Sequence, residues 1–329
     1  MRLVGLAASL LMFVACKPEY TWDPNTSVIG QPNPPDLSTP VKLDRIVQTT
    51  VPAVDVLWVV DNSCSMDEEQ TALAANFPKF MQFFMDSGLD YHVGVVSTDM
   101  DDFDHKGKLQ PDPWSGVRII DPSVAEPIPV FQRMADLGTW GAADEKGRAA
   151  AWSALVTQRD LANAGFLRED AFLSIVVISD EDDYSGNSPV TLPNFINFLT
   201  DLKPSSDMVS FSSIVGPPGN CPTAELGSEY LAVSDAIGGI EWSICDSNWD
   251  QVLQELGMQA AGLRREFFLS EVPVADSVAV WVVDNGTRND FVNGLDFSYD
   301  RSRNSVLFSS YIPNPLSEVF IEYQVLAGL

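Results

Sequence analysis

The chain has 329 residues, 45% hydrophobic and 10% aromatic, which is enough for one large domain plus a smaller one, each with a core. Its 46 Asp and Glu against 19 Lys and Arg leave a net charge of -27. A surface of that sign repels phosphate backbones and anionic lipid and attracts cations, so no nucleic-acid partner is expected.

Residues 1–15 read as a signal peptide. Arg2 is a minimal positive start, and Leu3 to Val14 form an apolar run too short to span a bilayer. The run ends in Phe13-Val14-Ala15-Cys16, which resembles a bacterial lipobox with Phe13 in place of the usual Leu. The resemblance implies cleavage before Cys16 and acylation of that cysteine. Lys17 in the next position implies sorting to the outer membrane, since the retention residue is Asp. The expected location is therefore the bacterial cell envelope, with the membrane reached by lipid at ~0.8 kcal/mol per buried CH2. Residues 16–50 contain Pro32-Asn33-Pro34-Pro35-Asp36 and show no period, so they are predicted to be a flexible linker.

From residue 51 to 264 the pattern is α/β. Val54 to Val60 is a nearly continuous apolar run, as in a buried parallel strand. Residues 67–86 are predicted helical from Leu73, Phe77, Phe80 and Phe84, with a kink or break at Pro78. Strands are predicted at 91–97, 117–120, 172–179 and 208–215. Helices are predicted at 143–155, 192–202, 225–236 and 248–262. Alternation of this kind implies a doubly wound, mostly parallel sheet of the Rossmann type. Residues 265–329 change register: 278–283 is a strand, Asp284-Asn285-Gly286 a turn, and 297–299, 305–309 and 319–325 continue the β pattern. A small all-β module is expected there. Asn285-Gly286-Thr287 fits a glycosylation sequon but reads better as that turn.

The four cysteines are Cys16, Cys64, Cys221 and Cys245. With Cys16 lipidated and the protein exported to an oxidising space, Cys221 and Cys245 are the natural disulfide pair. They share one Gly/Pro-flanked stretch, and such a loop contributes roughly 3 kcal/mol. Cys64 is then expected to be free and mostly buried.

The strongest chemical signal is Asp61-Asn62-Ser63-Cys64-Ser65, directly after a buried strand. Ligands of open parallel sheets bind beyond the carboxyl ends of strands. A carboxylate and hydroxyls there offer hard oxygens of the kind Mg2+, Mn2+ and Ca2+ accept. A second strand ends in Ser179-Asp180, and the loop Gly138-Thr139-Trp140-Gly141 offers a further hydroxyl. These residues resemble the metal-ion-dependent adhesion site of von Willebrand factor A domains, Asp-x-Ser-x-Ser followed by a distant Thr and a distant Asp. The matching positions are Asp61, Ser63, Ser65, Thr139 and Asp180. Thr98, at another strand end, is the rival for the threonine, and Ser179-Asp180-Glu181 departs from the family's Thr-Asp-Gly. The resemblance covers about residues 50–262. It implies a divalent metal, Mg2+ first with Ca2+ or Mn2+ as alternatives, and a protein or surface partner that completes the shell with an acidic residue. In the family's manner Ser63 and Ser65 would bind the metal directly, Asp61 and Asp180 directly or through water, and Thr139 on opening.

No enzyme is expected. His92 and His105 are the two histidines, and no Gly-x-Ser-x-Gly elbow occurs. A haloacid dehalogenase-type phosphatase needs a carboxylate where Ser63 stands. The acidic runs at 99–104 and 181–183 read as solvated faces; the alternatives are that they raise the local cation concentration or hold a second Ca2+. The alternative to metal-dependent binding is a structural envelope lipoprotein without metal.

Overall fold

The computed structural model describes residues 39–48, 51, 53–85, 89–309, 311–314 and 316–325. The expected signal peptide, Cys16 and most of the expected linker lie outside the described residues. β1 (Val41–Val47) leads through residues 48–52 into β2 (Ala53–Val60), which is buried from Val54 onward. A strand buried on both faces needs parallel neighbours with helices over them. β2 lies between β3 (Asp90–Ser97) and β4 (Phe172–Ile178), and β5 (Val209–Val215) and β6 (Glu241–Ser243) follow outward from β4. The five-stranded sheet has the order β3-β2-β4-β5-β6, and every pairing in it is parallel.

Alternation along β2 sorts two cores. Val54, Val56, Trp58 and Val60 meet α1 (Asp67–Met85), α2 (Pro127–Ala135) and α6 (Trp249–Ala260). Leu57 and Val59 meet α3 (Gly147–Trp152), α4 (Leu192–Asp201) and α5 (Ser228–Ile237). The Trp58 ring stands edge-on to Phe80 at 5.2 Å and to Phe131 at 5.6 Å, and side chains of this size contribute about 1.5–3 kcal/mol each on burial. Leu73, Phe77, Phe80 and Phe84 are buried on α1 as their spacing predicts. Pro78 lies inside this helix rather than ending it; the buried phenylalanines on either side offset its missing hydrogen bond.

Some expectations are corrected in detail. The strand predicted at 117–120 reduces to an antiparallel bridge between Ile120 and Val93. The helix predicted from 143 begins only at Gly147 and runs on as a π-helical turn over Ser153–Thr157. Residues 141–146 are instead held at the sheet edge. α2 and β6 are not in the predicted set; α2 opens on Pro127, and a proline suits the first helical turn.

From Glu266 the chain is all β: β7 (Glu266–Phe268), β8 (Ala279–Asp284), β9 (Thr287–Phe291), β10 (Phe297–Asp300), β11 (Ser305–Phe308) and β12 (Glu318–Gln324). They form two antiparallel sheets, β10-β11-β7 and β1-β12-β8-β9. Val280, Val282, Phe297, Val306, Phe308, Val319 and Ile321 fill the core between them. Asn285 and Gly286 turn the β8–β9 hairpin with φ of 47° and 80°, the left-handed pair that tight hairpins require. β1 corrects the extent of the linker, because Val41–Val47 pairs along β12 from Val41↔Gln324 to Val47↔Glu318.

Candidate metal centre

The register of the parallel sheet assembles the site. Ser97 of β3, Val60 of β2 and Ile178 of β4 lie side by side at the carboxyl ends of their strands. Thr98, Asp61 and Ser179 therefore come next at one edge, stitched by Thr98 N–H to Val60 C=O at 3.2 Å and Asp61 N–H to Ile178 C=O at 3.0 Å. Asp61 is fully buried. One carboxylate oxygen accepts the Ser63 N–H at 2.7 Å and the other the Ser179 hydroxyl at 2.7 Å. The Ser63 and Ser65 hydroxyls are 3.2 Å apart. The turn is thus wound around the Asp61 carboxylate, and both serines are on one side of it. Asp180 is buried beside Asp61. Cys64 is free, as expected, but exposed rather than buried; Asp61, Asn62 and Ser63 take the inward positions of the turn. The Cys221–Cys245 disulfide is present, with a Cα separation of 5.8 Å.

The loop carrying Thr139 is tied to this turn. Gly141 N–H donates to Asn62 C=O at 2.8 Å, and the Gln70 amide donates to Asp61 C=O at 2.9 Å and to Gly138 C=O at 3.0 Å. A Cβ on Gly141 would lie 2.5 Å from Asn62 Oδ1, so any larger residue here would have to displace the Asn62 side chain. The Thr139 hydroxyl itself forms no hydrogen bond with Asp61, Ser63, Ser65 or Asp180. Trp140, at the loop's tip, is 97% exposed.

Glu145 is the residue that motif reading missed. It is fully buried; its backbone C=O accepts the Tyr184 N–H at 2.7 Å, and the next residue, Lys146, donates its N–H to Thr98 C=O at 3.3 Å. The Thr98 hydroxyl donates to Glu145 Oε2. The rival threonine of the sequence thus serves a carboxylate, and Asp144-Glu145 carries no motif that marks it beforehand.

Carboxylates crowd this edge. Burial first, and the Asp61 charge second, push Glu145 up to about 9. Burial, then Asp61 and Asp180, push Glu181 up to about 7. Burial raises Asp61 as well, against the Ser179 and Ser63 hydrogen bonds, and Glu69 is raised by burial with Asp180 the strongest of its charged neighbours. Buried oxygens without a hydrogen-bond partner include Asp180 Oδ1, Glu145 Oε1, Glu69 Oε2 and Asn62 Oδ1. The buried cation behind the site, Arg148, is committed to Asp183 at 2.9 Å and Glu229 at 2.7 Å. Like charges buried together are costly unless a counter-ion joins them. Hard oxygens, excess negative charge and unpaired buried lone pairs fit a divalent cation. Among the described residues no three His, Cys, Asp or Glu are gathered as a metal cage, so the donor set is one of carboxylates mixed with hydroxyls.

The acidic runs are more than solvated faces. Asp99 is buried and accepts the N–H groups of Asp101 at 2.7 Å and Asp102 at 3.0 Å. Asp182 caps α5 by accepting the Glu229 N–H at 2.9 Å, and Asp183 holds Arg148.

No protein-family model matches the chain, and no curated protein matches it. Among solved structures, a von Willebrand factor type A protein from Catenulispora acidiphila is similar, with 14% identity over 89% of this chain and 67% of that one and a TM-score of 0.42. The pilus adhesin SpaC from Lactobacillus rhamnosus GG, in its open conformation, shows 12% identity over 88% of this chain and a TM-score of 0.44. The chain spans 41% of that adhesin. Proximal thread matrix protein 1 from the mussel byssus shows 11% identity over 69% of this chain and 52% of that one, with a TM-score of 0.41.

Proposed function

We propose that the chain is a cell-envelope lipoprotein that binds a partner through a divalent cation, Mg2+ first and Mn2+ or Ca2+ as alternatives. The observation that carries the reading is the convergence of buried, partly unpaired carboxylate oxygens with serine hydroxyls at one strand-end edge. Asp61, Ser63, Ser65 and Asp180 would hold the cation, with Thr139 joining on its tethered loop. When bound, the cation supplies a positive centre that a partner's acidic oxygen can complete. The chain's own residues orient that centre: Ser179 and the Ser63 N–H fix the Asp61 carboxylate, and Gln70 clasps the Thr139 loop to the Asp61 backbone. Trp140 offers the partner an exposed ring beside it. Of the two histidines, His92 bonds the Phe166 carbonyl at 2.9 Å and His105 the Ser97 hydroxyl at 2.6 Å. Cys16 would carry the lipid that holds the protein at the outer membrane.

Calorimetric titration with Mg2+, Mn2+ and Ca2+ tests the reading. Wild type is expected to bind, and Asp61→Ala to lose binding while keeping its fold. Absence of binding by the wild type to all of these ions would favour the structural envelope lipoprotein instead.

A further inference from the structure

Glu145 stands apart from the motif that drew attention to the edge. Its side chain is completely buried, on the strand-end side of the sheet, and one carboxylate oxygen is held by the Thr98 hydroxyl. The other has no hydrogen-bond partner. Thr98, which holds it, stands beside Asp61 at the strand ends, its N–H bonding Val60 C=O at 3.2 Å, and Asp61 is the strongest of the charged neighbours of Glu145. A buried carboxylate without a partner is expensive, and proteins keep one where it has something to bind. The scaffold spends several interactions on holding this one in place. The Tyr184 N–H and the Thr98 C=O pin the peptide group that follows it, and α3 starts only two residues later, at Gly147.

We propose that Glu145 is a ligand of the cation, sharing it with Asp61, and that the Thr98 hydroxyl aims it. The inference rests on the metal-binding reading above and adds to the motif's Asp61 and Asp180 a carboxylate that would close on the cation as it binds, since the described residues hold no preformed cluster of three acidic ligands. A second acid beside Asp61 would neutralise a divalent charge from within the chain. The cation is then retained before any partner arrives, and the partner's acidic group adds specificity more than charge. Glu145→Gln is close to isosteric and keeps the contact with Thr98, because the amide oxygen can accept from its hydroxyl. It therefore separates a ligand from a neutral hydrogen-bonding acid.

The experiment titrates Mn2+ into wild type, Glu145→Gln and Thr98→Val, reading free Mn2+ by electron paramagnetic resonance, with melting curves in chelator to verify folding. Glu145→Gln is expected to bind Mn2+ at least tenfold more weakly while melting at or above the wild-type temperature in chelator. Thr98→Val, which removes no ligand, is expected to weaken binding by a smaller factor. Wild-type affinity in folded Glu145→Gln would overturn the assignment and leave Glu145 a structural acid. Wild type that binds no Mn2+, Mg2+ or Ca2+ would overturn the metal-binding reading itself, a result distinct from the previous one.

Discussion

Single carboxylates in this chain have opposite fates according to what lies beside them. Asp61 and Glu145 are raised by burial next to acids. Asp112 is held below the ordinary aspartate range by the Arg133 guanidinium, with the Ser115 hydroxyl and nearby N–H groups helping against burial. A folded-state value below the unfolded one means that this pair stabilises the protein at neutral pH, and that the stabilisation is lost as pH falls below the unfolded value near 3.8. Asp112→Asn is therefore expected to lower the urea midpoint at pH 7, and the gap from wild type should narrow steadily from pH 5 down to pH 2.5. A gap that stays constant with pH would show that the pair contributes nothing ionic. Of the candidate site, Asp61, Ser63, Ser65 and Asp180 were legible because a short spacing and a strand end fix where they go. Glu145 was not, because its place depends on a loop that folds back across the ends of β3 and β4.

At the level of elements, buried strands announced themselves and edge or half-exposed ones did not. β2, β4 and β5 are apolar on both faces, so their runs were unmistakable. β1 and β9 carry alternating or continuous exposure and charged residues; their strand character comes from pairing partners distant in sequence, which no local window contains. The loop 136–146 connects α2 to α3, and its path depends on close approach to the Asp61 turn. Gly141→Val would set a branched side chain against Asn62, whose side chain is buried against the loop. Overpacking of this kind costs about 1–3 kcal/mol. The expected result is a modest loss of stability with a larger loss of Mg2+ affinity, measured by chemical denaturation and calorimetry on the same preparation. Stability loss with unchanged affinity would detach the loop from the site.

Across the whole molecule the α/β part and the β part are joined at more than one point. Gln48 donates its side-chain amide to Arg264 C=O at 2.8 Å, and its backbone N–H bonds Ser317 C=O at 2.8 Å. Arg265 pairs with Glu255 of α6 at 3.1 Å. The Cys221–Cys245 bridge closes a loop with a sequence separation of 24 next to β6. Replacing both cysteines with serine should lower stability by roughly 3 kcal/mol, read as a shift in the guanidinium midpoint, with the secondary structure retained. Replacing Cys16 with serine should release soluble protein from the envelope fraction; a variant that stays bound would reveal another anchor.

The succession of β1 and β2 has a mechanical meaning. Only residues 48–52 separate the strand that follows the N-terminal segment from the strand that leads into Asp61. For a protein held by lipid at its start and by a cation at its sheet edge, tension between the two would run along this single stretch of backbone. Covalent bonds would bear the load from tether to metal turn. The C-terminal sheet would flank that line, gripping β1 through β12, without lying in series with it. Pulling on the partner would then load the parallel sheet directly through β2, which is buried from Val54 onward.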